Sequence, residues 1–393
     1  MLKFQLTMRL GVYVQVPFCQ TKCTYCNFHT GVFSSDLYAP YVNAVCQEIS
    51  SYPRLLEENG ISQVREAIVD TAYFGGGTPS LLDPSGLRRI LDAIRATFDS
   101  QLEEVTLEAD PETITSAKAG AWRDAGFDRI SMGVQSFSDT ELKAAGRMHR
   151  REDVYNASRI LRDSGFRNIS FDLIAGLPHQ TDESWGDSVA QILALRPEHI
   201  SIYMMEIDEG SRLGLEVLQG GTRYSASALP SDDAMANFYE RACAQLAAAG
   251  YEHYEISNWA LPGFESRHNL KYWRREPYFG FGAGAHSFNG SQRWANAHDP
   301  ATYAKTIGQG RFCVEQLETV TPGQSLEEEL FLGLRQLAGI DLAGIEKKYG
   351  ASLRPRVEEL RAQGLLEWHG ARLRLAPDRL TVSNEVFVNL LNL

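Results

Sequence analysis

The stretch Val14 to Phe28 reads Val-Gln-Val-Pro-Phe-Cys-Gln-Thr-Lys-Cys-Thr-Tyr-Cys-Asn-Phe, and the interpretation of the whole chain starts from it. It contains Cys19, Cys23 and Cys26, with three residues between the first two and two between the last two. A short loop with this spacing can bring three thiolates around one compact centre. A [4Fe–4S] cluster usually takes four cysteines, so three would leave one iron open, as catalytic metal sites leave one position open.

The open iron gives the loop a chemical role. It can take the amino and carboxylate groups of S-adenosylmethionine (SAM), and one electron from the cluster can then break a C–S bond and release a 5′-deoxyadenosyl radical. A structural zinc site is the competing interpretation, because His29 lies three residues after Cys26 and zinc takes Cys and His ligands. Disulfides are disfavoured because the chain is expected in the cytosol, where thiols stay reduced.

Strand-like apolar runs alternate with helical patterns over the first two thirds of the chain. The runs are Val12–Val16, Ala67–Phe74, Val105–Ala109, Ile130–Val134, Ile169–Ile174 and Ile200–Met205. Stretches between them, such as Leu87 to Phe98, carry apolar residues at helical spacing. Repeated strand–helix units predict an α/β fold with a parallel sheet wrapped by helices. Six units are too few for a closed eight-stranded barrel, and the cysteine loop follows the first strand, where such folds place their sites.

The cysteine loop resembles the cluster-binding loop of the radical SAM superfamily. The longer match, Tyr13 to Cys19 followed by Lys22 to Cys26, resembles the branch that holds the oxygen-independent coproporphyrinogen III oxidases and the HemW-type heme chaperones. The resemblance extends to the Asn384-Glu-Val-Phe stretch near the end of the chain. It implies an open partial (β/α)6 barrel with the cluster at its top, and SAM as a second cofactor.

The same resemblance assigns SAM contacts to residues in and after the predicted strands. Gly75-Gly-Gly-Thr-Pro79 follows the second strand; its glycines allow close approach of a ligand and can expose N–H groups to an anion. On the residues alone, an ordinary glycine turn is equally favoured, and a structural hydrogen bond is the alternative for each buried polar residue. By resemblance, the SAM-binding residues are Tyr13, Tyr25, Gly76, Gly77, Thr78, Glu108, Gln135, Arg147 and Asp172, with Arg147 reaching the carboxylate of the ligand.

The stretch His268-Asn-Leu-Lys-Tyr-Trp273 resembles a signature of the heme chaperones within that branch. On residue chemistry alone, a histidine beside aromatic residues is more often structural, and Tyr and Trp usually pack with one polar tip. The resemblance implies that His268 ligates heme iron and that Tyr272 and Trp273 shape the pocket. We expect this stretch beside the barrel mouth and the C-terminal domain.

Two departures distinguish the chain from the oxidases. A further cysteine follows the third by two positions in the oxidase pattern, and here that position is Phe28. The oxidases also carry a longer N-terminal extension, whereas 18 residues precede Cys19. We therefore expect a heme chaperone, with the oxidase, which forms protoporphyrinogen IX, as the alternative. A nucleic-acid modifier and a DNA-binding regulator are disfavoured; the formal net charge of −12 opposes a broad phosphate-binding surface.

Three regions are expected along the chain. Residues 1–258 form the radical SAM core, residues 259–322 a connecting region with weak periodicity around Gly290 to Gly310, and residues 323–393 a mostly helical C-terminal domain. In that domain, Ser325 to Glu328 reads as a capping box that opens a helix. Helices at Leu342–Tyr349 and Leu353–Gln363, followed by a strand at Arg372–Leu375, resemble a winged helix. We expect this domain to cap the barrel mouth.

The ends and composition of the chain bear on its location and partners. Met1 to Leu10 holds no apolar signal-peptide core, and no run approaches the roughly 18 apolar residues of a membrane span. We therefore expect a cytoplasmic protein, with peripheral membrane attachment and a homodimer left open. Met8 is an alternative start, which would make Met1 to Thr7 a dispensable lead. The resemblance implies heme-accepting proteins and an electron donor such as flavodoxin or ferredoxin as partners.

Overall fold

The computed structural model describes residues 8–64 and 67–391. The expectation that Met1 to Thr7 are a dispensable lead lies outside the described residues. Among the helices of the described ranges, none combines the length and the apolar character needed to cross a bilayer.

Six parallel strands form the centre of the fold, and each contains one of the predicted apolar runs or most of it. They are β1 (Met8–Val16), β2 (Ala67–Gly76), β3 (Ser100–Ala109), β4 (Arg129–Gln135), β5 (Asn168–Ala175) and β6 (His199–Met204). They pair in chain order, and the edges at β1 and β6 pair with other strands rather than with each other. The predicted open partial (β/α)6 barrel is therefore confirmed.

Helices follow these strands along the chain, and the longer ones cover the outer face of the sheet. They are α1 (Tyr38–Glu58), α2 (Pro84–Thr97), α3 (Ser116–Ala125), α4 (Asp139–Ala144), α5 (Arg151–Asp163), α6 (Asp182–Leu195), α7 (Arg212–Leu218) and α8 (Asp232–Ala248). In α2 the predicted apolar face, from Leu87 to Ile94, is fully buried. This helix begins after Asp83, whose carboxylate accepts a hydrogen bond from the Ser85 N–H, as helix N-caps do.

Side chains alternate across the barrel strands, and the two faces differ in chemistry. In β1, Val12, Val14 and Val16 are fully buried in the core shared with the helices. Tyr13 and Gln15 point to the other side, into the barrel, where the Tyr13 hydroxyl donates to Gln15 Oε1 at 2.7 Å. Successive residues of a strand face opposite sides, so the barrel has a polar interior in which a ligand finds hydrogen-bond partners.

Further strands extend the sheet on both sides of the barrel. They are β7 (Glu252–Glu255), β8 (Asn258–Ala260), β9 (Tyr278–Phe281), β10 (His286–Phe288), β11 (Gln292–Asn296) and β12 (Val314–Thr319), with helices α9 (Arg267–Trp273) and α10 (Pro300–Gly308) between them. β9 lies parallel to β1, and β8 lies antiparallel to β6. The stretch from Gly290 to Gly310, expected to be a connection of weak periodicity, contains β11 and α10. Their patterns are too short to stand out in the sequence.

Glu48 ties α1 to this extension of the sheet. Its carboxylate is fully buried and accepts hydrogen bonds from the Gly282 N–H at 3.0 Å, Asn296 Nδ2 at 2.7 Å and the Tyr303 hydroxyl at 2.5 Å. Burial raises the pKa of Glu48 to about 7, although these three donors oppose the shift. The carboxyl group is thus a titratable group inside the core.

The C-terminal region contains α11 (Pro322–Arg335), α12 (Leu342–Tyr349), α13 (Arg354–Ala362), the hairpin of β13 (Leu366–His369) and β14 (Arg372–Leu375), and α14 (Ser383–Leu391). The predicted helices at Leu342–Tyr349 and Leu353–Gln363 and the predicted strand at Arg372–Leu375 are confirmed. The predicted capping box at Ser325 was wrong: Thr321 caps α11, and its box partner is Gln324. Thr321 is followed by Pro322, and proline favours the first helical position, so the helix begins earlier than expected.

The C-terminal helices pack against α9. Arg275 Nε donates to Glu328 at 2.6 Å, Gln336 Nε2 donates to the Trp273 carbonyl at 3.3 Å, and the Leu337 N–H donates to the Tyr254 carbonyl at 3.1 Å. The α9 helix lies at the level of Gly11, near the start of the barrel strands. The expectation of a cap over the barrel mouth was therefore wrong, because Arg275 and the α9 helix, which the C-terminal domain contacts, lie at the opposite end of the barrel.

Candidate functional site

The cysteine loop leaves the C-terminal end of β1 and returns to it. The Cys19 N–H donates to the Gly31 carbonyl at 2.9 Å, and the Gly31 N–H donates to the Pro17 carbonyl at 3.0 Å. These two bonds close the loop at its base. Inside it, the Cys26 N–H donates to the Cys23 carbonyl at 3.4 Å, so the last two cysteines lie on one turn.

The three cysteines are half-buried free thiols with surroundings that fit an iron–sulfur cluster. Burial raises the pKa of Cys19 to about 11, and burial also raises that of Cys23, although Arg147 opposes the shift. Bound metal ions deprotonate such thiols outright. Within the described ranges, no three Cys, His, Asp or Glu side chains are drawn together tightly enough for a single metal ion. A structural zinc ion needs four ligands at one point, whereas the cysteines of a cluster bind different irons, so this spacing fits the cluster better.

The glycine segment after β2 lies directly against the cysteine loop. A Cβ added at Gly77 would lie 2.5 Å from the Phe18 carbonyl oxygen and 2.9 Å from Cys19 Sγ. The N–H of Gly77 donates to the Val16 carbonyl at 2.8 Å, and the N–H of Thr78 donates to the Phe18 carbonyl at 2.7 Å. The glycine therefore serves the close approach of two backbones, and these N–H groups are already used rather than exposed to an anion.

Two carboxylates of the β3 end bind this segment. Glu108 accepts hydrogen bonds from the Gly76 N–H at 3.0 Å and from the Tyr73 hydroxyl at 2.8 Å. Asp110 accepts one from the Thr78 hydroxyl at 2.9 Å. Burial raises the pKa of Glu108 to about 7. The segment and the carboxylates together make a polar wall beside the cysteine loop.

Arg147 joins this wall to the cysteines. Its guanidinium forms an ion pair with Asp110, donates to the Gly133 carbonyl at 2.8 Å and approaches Cys23 Sγ at 3.7 Å. Burial opposes its charge, but Asp110 holds the pKa of Arg147 well above its usual value. The guanidinium is therefore a fixed positive charge next to the predicted cluster.

Asp110 is a residue that the sequence interpretation missed. It stands two positions after Glu108 in Thr106-Leu-Glu-Ala-Asp110, and that alternation along an emerging strand is the signal that points to it. Its partner Arg147 comes from a different unit of the barrel, which a single sequence does not reveal.

Gln135 and Asp172 lie on the neighbouring strands β4 and β5. Gln135 has a φ of 64°, a left-handed conformation that costs a residue with a side chain about 1–2 kcal/mol. Asp172 Oδ2 accepts a hydrogen bond from the Ser131 hydroxyl at 3.4 Å, while the buried Oδ1 has no partner within the described part of the chain. Burial raises the pKa of Asp172. A strained polar residue and an orphaned carboxylate oxygen fit a site that receives ligand hydroxyls.

The two predicted tyrosines have different surroundings. Tyr13 faces the barrel interior, stacks on Tyr73 with ring centroids 6.0 Å apart and contacts Gln15. Tyr25 packs in the loop against a small apolar cluster that includes Ala145 and Leu213. Burial raises its pKa, and the neighbouring Cys23 adds to the shift. Tyr25 thus lies at the cysteines, and Tyr13 lies deeper in the barrel.

His268 lies at the other end of the barrel. It is 1% exposed, its Nδ1 shares a hydrogen bond with the Thr71 hydroxyl at 2.9 Å, and its Nε2 shares one with the Tyr272 hydroxyl at 2.9 Å. The Glu104 carboxylate accepts from the N–H groups of Arg267 and His268, both at 3.0 Å. This carboxylate caps the start of α9, which closes the barrel from below.

The position of His268 differs from the expected one. A Cβ at Gly11 would lie 3.2 Å from His268 Cε1, and Gly11 precedes Val16 by five residues, which is about 17 Å along a strand. The histidine lies beside the C-terminal domain, as expected, but not beside the barrel mouth. Burial lowers the pKa of His268 to about 3, and the charge of Lys271 adds to that shift. The imidazole is neutral, covered and bonded at both nitrogens.

The sequence profile of the radical SAM superfamily matches residues 13–192, and that of the HemN C-terminal domain matches residues 320–378. The heme chaperone HemW of Bacillus subtilis is 36% identical over 383 residues, which cover 96% of this chain and 98% of that protein. The heme chaperone HemW of Lactococcus lactis is 34% identical and covers 97% of each chain. These matches extend across both the barrel and the C-terminal domain.

Among solved structures, the coproporphyrinogen III oxidase HemN of Escherichia coli, described as a radical SAM enzyme, superimposes with a TM-score of 0.81. It covers 98% of this chain and 91% of its own, at 21% sequence identity. At that identity the likeness establishes the fold, and the heme chaperones are the nearer relatives in sequence.

Proposed function

The chain belongs to the family of HemW heme chaperones within the radical SAM superfamily, and on this premise we propose that it binds heme and passes it to acceptor proteins. The observation that carries the proposal is the 36% identity to a named heme chaperone over nearly the full length of both chains. Phe28 supports it, because the oxidase pattern has a cysteine at that position. Heme is the cargo in this proposal, and the acceptors are heme-dependent proteins.

We propose further that Cys19, Cys23 and Cys26 hold a [4Fe–4S] cluster and that SAM binds beside it. When bound, these groups supply one-electron chemistry. In this site Gly77 has no side chain, so the cysteine loop can pack directly against the backbone of the glycine segment. Glu108 and Asp110 attract the amino group of SAM, and Arg147, held between Asp110 and Cys23, attracts its carboxylate. The orphaned Asp172 Oδ1 accepts a ligand hydroxyl, and Gln135 lies next to it on β4.

The contribution of His268 to heme binding stays a prediction. To ligate iron, its ring must give up the hydrogen bond to Thr71 or the one to Tyr272, and α9 must move out of the barrel. Its neighbours support a structural role in closing the barrel. Heme titration of a His268→Ala variant, with the Soret band as readout, tests this role.

The proposed function is tested by supplying heme and coproporphyrinogen III separately to the anaerobically reconstituted protein, with SAM and a reductant in both assays. We expect a stable heme complex and no accumulation of protoporphyrinogen IX. Typical enzymes turn over at roughly 1–10³ per second, so even a poor oxidase would be visible within hours. Repeated turnover of coproporphyrinogen III would reject the chaperone function in favour of the oxidase.

A further inference from the structure

Three histidines lie at the barrel mouth beside the cysteine loop and take no part in the site described above. His29 follows Cys26 by three residues, and its ring lies against that of His298, with ring centroids 3.9 Å apart and 31° between the planes. His286 opens β10 and pairs with Ala295 of β11, three positions before His298 along the chain. We call His29, His286 and His298 the histidine group.

The turn after β9 holds this group in place. Gly284 has a φ of 72°, and a Cβ there would lie 3.0 Å from His298 Nδ1 and 3.8 Å from His29 Cβ. The Gly284 N–H donates to the Ala297 carbonyl at 2.9 Å. His298 Nδ1 is buried and has no hydrogen-bond partner within the described residues. The fold therefore holds two imidazoles against each other at the edge of the cysteine loop.

The surroundings of His29 and His286 favour the neutral form of the imidazole, which is the form that binds metal. Burial lowers the pKa of His29, and the neighbouring His298 and Lys22 add to the shift. Burial likewise lowers the pKa of His286. Neutral imidazole is the ligand form of histidine. Unlike His268, both His29 and His286 are exposed to solvent, so a large ligand can reach their rings.

The surface next to His29 is apolar and carries a positive charge. Phe28 is 65% exposed and Val32 is 63% exposed, which is unusual for large apolar side chains so close together in a loop. Lys22 Nζ lies 3.4 Å from the Phe28 carbonyl oxygen, to which it donates. An axial imidazole, an apolar face and an ammonium group are what the iron, the ring and the carboxylates of heme require.

We propose that heme docks at this end of the barrel, with the His29 imidazole as an axial ligand, Phe28 and Val32 against the porphyrin and Lys22 at a propionate. His298 supports the His29 ring from below, and His286 lies beside it. The inference rests on the proposed function, in which heme is the cargo. It places the cargo next to the cysteine loop rather than at the buried end of the barrel.

The test is heme titration of the anaerobically reconstituted full-length protein, followed by the Soret band, in five forms. These are the wild type, His29→Ala, the triple variant His29→Ala/His286→Ala/His298→Ala, Phe28→Ser and His268→Ala. His369→Ala and Val388→Ser are matched controls, because both residues are exposed in the C-terminal domain. Iron and sulfide content is measured for each, and titrations are compared at equal cluster content.

Changes to groups that support a metal ligand typically cost about 10–100-fold in affinity, so loss of the ligand itself should weaken heme binding at least about tenfold. We expect His29→Ala and the triple variant to show a shifted Soret maximum and this weaker heme affinity. Phe28→Ser should bind heme more weakly with an unchanged Soret maximum, and both controls should behave like the wild type. Wild-type affinity and spectrum in the triple variant would overturn the inference and leave the chaperone function standing. A wild-type protein that binds no heme would reject the proposed function itself.

Discussion

Replacing Gly77 with alanine tests whether the glycine segment and the cysteine loop form one unit. The added Cβ would lie 2.5 Å from the Phe18 carbonyl oxygen and 2.9 Å from Cys19 Sγ. Neither neighbour can withdraw easily, because the hydrogen bonds from Gly77 and Thr78 to the end of β1 hold the two backbones together. The φ of Gly77 is not in the left-handed region, so the effect is a steric one.

The magnitude follows from overpacking. Extra methylenes in a well-packed region cost about 1–3 kcal/mol, and here the strain falls on Cys19, the first of the three proposed cluster ligands. We expect Gly77→Ala to lower the free energy of unfolding by that amount and to reduce the iron and sulfide retained after anaerobic reconstitution. A variant with Cys19, Cys23 and Cys26 all changed to alanine sets the background of the iron assay.

Gly120→Ala is the matched control. Gly120 lies inside α3, and nothing is within 4 Å of a Cβ added there, so alanine should stabilise the helix by about 0.5–1 kcal/mol. Urea unfolding and iron analysis of both variants give the comparison. Full cluster content and unchanged stability in Gly77→Ala would refute the packing of the glycine segment against the cysteine loop.

Three further predictions concern stability. Arg147→Gln leaves Asp110 without its largely buried partner and should lower the free energy of unfolding, measured in urea, by about 3 kcal/mol. Arg159→Gln, in an exposed ion pair, should lower it by less than about 0.5 kcal/mol, and equal losses in the two variants would contradict the role of Arg147. His268→Ala leaves the hydroxyls of Thr71 and Tyr272 without their hydrogen-bond partner and should lower the free energy of unfolding by about 2–5 kcal/mol. A variant as stable as the wild type would show that this end of the barrel does not depend on His268. Burial raises the pKa of Glu48 to about 7, so the folded state keeps this proton at a pH where the unfolded state has lost it. The free energy of unfolding should therefore decrease as the pH rises from about 4.5 to 7, and Glu48→Gln should flatten that part of the pH profile.

The barrel was predictable because each of its strands carries a long apolar run. Val12, Val14 and Val16 show the pattern for β1, and the cysteines directly after them mark the strand end that holds the site. Runs of this kind are read from the sequence without knowing which segments meet. The predicted positions at Gly76, Gly77, Thr78 and Glu108 are brought together in the structure for the same reason, since they lie at the C-terminal ends of two adjacent strands.

The less regular parts depended on contacts between distant segments. The α9 helix enters the barrel because the Glu104 carboxylate, 163 and 164 positions away, binds its first N–H groups, and no local pattern reports that pairing. The C-terminal domain lies at the same end because Arg275 pairs with Glu328. The contact between His29 and His298 likewise joins residues that are far apart in sequence, and so it appears only in the folded chain.

Transfer of heme tests the central claim most directly. The heme-loaded, reconstituted protein is mixed with a heme-free acceptor hemoprotein, the two are separated, and the absorbance spectrum of each is recorded over time. The account predicts that heme leaves this protein and appears in the acceptor faster than it does from a solution of heme bound to serum albumin. Heme that stays on this protein, or that reaches the acceptor no faster than from albumin, would contradict the chaperone function.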